Sequence, residues 1–111
     1  MTTSILNDVK HILGILPDNT AFDSDILMLI NTQFATLTQL GVGPDEGYMI
    51  AGAEEKWTDY LTDIRLNSVK SYIFLQVKIQ FDPPKAGYII QAYERQVQEL
   101  TYRLNVVADY E

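Results

Sequence analysis

An all-α fold, a compact bundle of about four to five helices with a long amphipathic helix at the C-terminal end, is what three features of this sequence predict. Apolar residues recur at steps of three and four in one segment after another. Those segments begin near capping residues and stop at glycine or proline. The one stretch that alternates like a strand has no evident partner strand elsewhere in the chain.

Size and composition fit a single domain over residues 1–111. A chain of 111 residues is long enough for one continuous core and too short for two. With 47% hydrophobic and 21% charged residues it has the balance of a globular chain that folds. No apolar run approaches the roughly 18 residues that cross a bilayer, and Met1-Thr2-Thr3-Ser4 lacks the basic and apolar regions of a signal peptide. A cytoplasmic origin with no membrane partner is the expectation. The sequence has no cysteine, which excludes disulfides, thiolate metal sites and thiol nucleophiles.

The net charge of −7 argues against a nucleic-acid reader, because affinity for phosphates comes mainly from Lys and Arg releasing condensed counterions. The charge is also uneven. Residues 1–63 carry ten acids against two bases, a net of −8, whereas residues 64–111 carry five acids and six bases, a net of +1. Two differently solvated faces would account for this, and so would a subunit whose faces meet unlike neighbours.

Taken in order, residues 4–13 place Ile5, Val9, Ile12 and Leu13 at helical spacing, with Ser4 as N-cap and Gly14 where a left-handed residue ends a helix. Pro17-Asp18-Asn19-Thr20 supplies turn chemistry. Asp23 or Ser24 caps a second helix to about Leu40, with Ile26, Ile30, Phe34, Leu37 and Leu40 on its apolar line and Gly41 ending it. Four glycines and Pro44 make residues 41–53 a long loop. Trp57, Tyr60, Leu61 and Ile64 then fall at i, i+3, i+4 and i+7, a short helix that covers the core with its aromatic side.

Residues 69–81 read two ways. Ile73, Leu75, Val77, Ile79 and Phe81 alternate as in a strand, while Leu66, Val69, Ile73, Val77 and Phe81 keep helical spacing. The missing partner strand favours a helix, ending before Asp82-Pro83-Pro84. The last segment is the clearest, because Ile90, Tyr93, Val97, Leu100, Leu104 and Val107 form one seam from about Ala86 to Ala108.

Catalytic chemistry is looked for without success. Acid–base enzymes usually work through histidine, and the lone His11, beside Ile12 and Leu13, reads as an ordinary surface residue. A calcium-loop pattern laid from Asp18 puts Phe22 at the fifth position, Asp23 at the glycine position and Leu29 at the terminal glutamate position. Capping by Asp23 and Asp25 at a positive helix end is the simpler reading. Gly41-Val42-Gly43 is followed by Pro44 and two acids, which would repel a phosphate. No catalytic, metal or cofactor site is predicted, and the protein is expected not to be an enzyme.

What remains are contact surfaces. Tyr93 lies on the seam and reads as core, whereas Tyr88, Tyr102 and Tyr110 lie off it and are candidate partner contacts. Tyr48, Met49 and Ile50, isolated among the loop glycines, suit a segment that orders against a neighbour, or a small apolar anchor on its own domain. Val106 lies off the seam near the end and is a further candidate contact.

The chain resembles the head-tail connector (adaptor) proteins of long-tailed bacteriophages and prophages. The likeness runs through Ile12-Leu13-Gly14-Ile15, Pro17-Asp18-Asn19-Thr20-Ala21-Phe22-Asp23 and Gln39-Leu40-Gly41-Val42-Gly43-Pro44. It continues in Trp57-Thr58-Asp59-Tyr60-Leu61, Phe81-Asp82-Pro83-Pro84 and Arg103-Leu104-Asn105-Val106. The resemblance implies a structural virion protein at the neck, made in the host cytoplasm and assembling as a homo-oligomeric ring of about twelve copies. It implies the portal on one rim, a neck or tail-completion protein on the other, and DNA passing through without sequence-specific binding. Asp45, Glu46, Glu54 and Glu55 are then candidate channel-facing acids, whose charge would keep DNA off the wall. Another neck protein, or a small helical module that binds a host protein, is the alternative.

Overall fold

The computed structural model describes residues 4–63 and 65–109. Five helices follow among them, α1 (Ile5–Ile12), α2 (Asp23–Gln39), α3 (Trp57–Tyr60), α4 (Leu66–Phe81) and α5 (Gly87–Asp109). The described residues form no strand beyond one isolated bridge between Ser4 and Lys56. The predicted all-α class with a long C-terminal helix is what the chain adopts.

The Ser4 side chain accepts the Asn7 amide at 3.2 Å and opens α1, and Gly14, at φ 77°, follows its end. The buried face is Ile5, Leu6, Val9 and Lys10, rotated from the expected line: Ile12 is exposed and Leu13 only partly covered. The rotation has an electrostatic cause. The Lys10 ammonium, on a side chain only 1% exposed, lies 2.8 Å from the Asp23 carboxylate and donates to the Pro17 carbonyl at 3.0 Å. A charge is buried only where it finds such partners.

The same pair corrects the predicted start of α2. The N-cap position is Phe22, which makes no side-chain capping bond, and Asp23 is the first helical residue with its carboxylate turned to Lys10. Asp23 and Asp25 still lie in the first turn, where the helix dipole favours them. Ile26, Ile30, Phe34 and Leu37 are fully buried as their spacing predicts, and Leu40 is half-buried. The Val42 amide returns to the Leu37 carbonyl at 2.9 Å and closes the helix, with Gly41 at φ 87°.

The third helix is shorter than its spacing suggests. It makes one turn, and Leu61 is already extended at φ −155° and ψ 137°; Ile64 lies outside the described residues. Its ends are fixed by carboxylates. Asp59 accepts the Lys56 amide at 2.9 Å, and Asp63 accepts the Arg65 amide at 2.8 Å while pairing with the Arg65 guanidinium, which turns the chain into α4. Hydrogen bonds from that guanidinium hold the Asp63 carboxyl below its ordinary range.

Residues 66–81 form a helix, so the helical spacing wins over the alternation. Val69, Tyr72, Ile73 and Val77 are buried, whereas Leu75 and Ile79 are only half-buried. Asp82 leaves the helical region at ψ 72°, as a residue before proline must. This helix is the centre of the bundle, since α1, α2 and α5 all pack on it. The core is one cluster drawn from α1 to α4, Val42, Ile50 and Leu104. Trp57, expected as core, is 1% exposed; its indole donates to Asp8 Oδ2 at 2.7 Å and meets Phe74 edge-on at 5.8 Å.

Candidate interaction surfaces

The loop of residues 41–55 is held by side chains that sequence reading passed over. Asn31, in the middle of α2, receives the Ile50 amide on Oδ1 at 2.8 Å and donates from Nδ2 to the Ile50 carbonyl at 2.9 Å, as a strand partner would. Ile50 is thereby placed in the core. Tyr48 packs beside Phe34 and Tyr60, with ring centroids 4.7 to 5.2 Å apart. Burial pushes the Tyr60 phenol up to about 12, and its hydroxyl donates to the Val42 carbonyl at 3.3 Å. Burial, together with the nearby Asp59 and Glu55 charges, also raises the Tyr48 phenol. Of the three loop residues singled out as contacts, only Met49, 73% exposed, is presented outward. Nothing in the sequence flagged Asn31, a polar residue at an ordinary helical position.

The four candidate channel acids differ in the same way. Asp45, Glu46 and Glu54 are exposed. Glu55 is half-buried and accepts the Ala51 amide at 2.8 Å and the Gly52 amide at 3.3 Å, and these bonds hold its carboxyl below the ordinary value of 4.5. Its charge supports the turn, and its backbone carbonyl accepts the Ile5 amide at 3.1 Å, tying the loop to the start of α1.

Tyr88 and Tyr102 are 76% and 70% exposed on α5. Tyr93, expected in the core, is half-buried and lines a groove of about 330 Å³ with Ile12, Phe74, Leu75 and Lys78. The reason is the limited cover of α5. Leu104 alone among its described side chains is buried, with Val97 and Leu100 packed partly on the core. Tyr110 lies outside the described residues, and so do the side chains of Val106 and Val107.

Among the described residues no group of three His, Asp or Glu side chains is gathered as metal ligands would be. No described helix is long and apolar enough to cross a membrane. The features brought to the surface are apolar and aromatic side chains on helices and exposed carboxylates on a tied-down loop. They define a small helical protein built around contact surfaces. This chain belongs to the phage connector protein family, whose model matches residues 5–111. It is therefore a structural connector of a bacteriophage, in a family of structural proteins rather than of enzymes. No curated protein and no solved structure matches the chain.

Proposed function

We propose that the protein forms a ring, on the order of twelve copies, between the portal and the tail of a tailed bacteriophage. The portal binds one rim and a neck or tail-completion protein the other. DNA passes through the lumen without sequence-specific contacts. Subunits are made in the host cytoplasm and end in the neck of the virion. The observation that carries this reading is the family match over residues 5–111. A net charge of −7 agrees with it, since a wall of carboxylates repels the DNA backbone.

Mixing the purified chain with the portal ring of the same phage, and imaging the product by electron microscopy, tests the proposal. A ring of added density on the portal's outer end is expected, and its symmetry gives the copy number. No binding at any salt concentration would favour another neck protein or a host-binding module. Asp45, Glu46 and Glu54 are the acids proposed to face DNA; Glu55 is committed to backbone amides. Reversing those three to lysine should leave assembly intact and slow DNA ejection, and unchanged ejection kinetics would remove them from the lumen.

A further inference from the structure

The outer face of α2 is unlike an ordinary solvated helix face. Asp25, Met28, Thr32, Ala35 and Gln39 follow at steps of three and four and are all exposed. No charged residue occurs between Asp25 and Asp45, although a surface helix normally carries its charges on the side away from the core. The Thr32 and Thr36 hydroxyls donate back to the carbonyls of Met28 and Thr32, at 2.9 and 3.2 Å. Their hydrogen bonds are thus met within the helix. Depletion of charge in an exposed patch is the compositional mark of an interface centre.

A second stripe of the same length and spacing runs along α5. Tyr88, Ala92, Arg95, Glu99 and Tyr102 are also all exposed at steps of four and three, and each stripe extends about 21 Å at the helical rise. The chemistry of the two differs in a complementary sense. Tyrosines at both ends of the α5 stripe supply large apolar bodies with polar tips, of the kind enriched at interfaces. Thr32, Ala35 and Ala92 are small enough for two helices to approach closely. The charge also complements. Residues 4–63 hold ten acids and two bases, net −8, whereas residues 65–105 hold six bases and three acids, net +3. Both stripes face solvent, so neither covers the other within one chain.

We propose that the α2 stripe of one copy packs against the α5 stripe of the next, a head-to-tail contact between unlike faces of identical chains. This rests on the ring reading above and names the surfaces that form it. A contact of this kind repeats around an axis and closes into a ring. The acidic half meets the more basic half at every joint, and like faces repel.

The chain has no cysteine, so two exposed, small positions can be labelled without interference. Chains carrying Ala35→Cys, Ala92→Cys or both are assembled on the portal ring and treated with a short bis-maleimide. The double variant should give a ladder of cross-linked oligomers, and a mixture of the single variants should give mostly mixed dimers. Separately, Ala35→Glu should weaken assembly on the order of tenfold or more while its thermal melting stays that of the wild type. Rings that form without the ladder, dimers of like with like only, or normal assembly of Ala35→Glu would each overturn the pairing and leave the ring reading intact. Failure of the wild type to form any ring with the portal would overturn both.

Discussion

The two long helices carry similar apolar seams and are buried very differently. In α2 four seam residues, Ile26, Ile30, Phe34 and Leu37, are fully buried. In α5 the seam is the more regular of the two, yet Leu104 is the one described side chain that is buried. The difference lies in what covers each helix. The inner face of α2 meets α1, α4 and the anchored loop with Tyr48, Ile50 and Tyr60, whereas α5 lies mainly along α4. A periodic seam sets which face a helix offers, and the number of neighbours sets how much of it is removed from water. Helix α2 is a pillar of the fold; α5 keeps much of its surface for other contacts.

Truncating both seams breaks or sustains that contrast. Phe34→Ala removes a fully buried ring from the aromatic cluster and should cost about 3 to 5 kcal/mol, read from the urea midpoint. Val97→Ala, on the half-covered seam, should cost about 1 kcal/mol or less. Equal losses would mean that α5 is as integral to the core as α2.

The loop that completes the cover of α2 is probed next. Gly43 sits at φ 84°, and a Cβ there would lie 2.6 Å from Tyr60 Cε1. Gly43→Ala should therefore destabilise by about 2 kcal/mol through backbone strain and displacement of the Tyr60 ring. Near-ultraviolet circular dichroism should report the altered tyrosine environment; an unchanged spectrum and midpoint would show that the loop yields freely.

Next in size is the Lys10 to Asp23 pair, which joins α1 to the start of α2. Lys10→Met leaves a carboxylate without its cation, but Asp23 is a quarter exposed and water partly replaces the partner. The expected loss in thermal denaturation is about 2 kcal/mol, below the range for a fully buried pair. The double variant Lys10→Met with Asp23→Ser should recover part of it, since no charge is then left without a partner.

The smallest effect concerns pH. Because backbone hydrogen bonds hold the Glu55 carboxyl below 4.5, its stabilising contribution is complete above that value and disappears as pH falls through the lower folded value. Wild type should exceed Glu55→Gln in stability at neutral pH and converge with it in acid. Solvent screening keeps the gap below about 1 kcal/mol. A gap that persists unchanged at pH 3 would mean that the bonds do not depend on the charge.

Most of the helices were legible from local pattern, and the errors share one cause. The seam of α2, the core position of Trp57 and the cap of α1 follow from residues close together in sequence. The rotated face of α1, the uncapped start of α2 and the single turn of α3 do not. Each was decided by a side chain that found its partner elsewhere: Lys10 on Asp23 and Pro17, and Asp63 on Arg65 at the entry to α4. The candidate contacts divided along the same line, since Ile50 and Tyr48 were drawn inward by Asn31 and the aromatic cluster while Met49, Tyr88 and Tyr102 stayed outside.

By itself the sequence determined the helical class, the extent of the long helices, the acidity and the family, because spacing, caps and composition are local or additive properties. Tertiary structure alone decided that 69–81 is the central helix, that a lysine is buried, and which acids remain free to meet a partner. Those outcomes depend on which groups approach one another in space, and burial rewards or penalises a group only through the neighbours it acquires there.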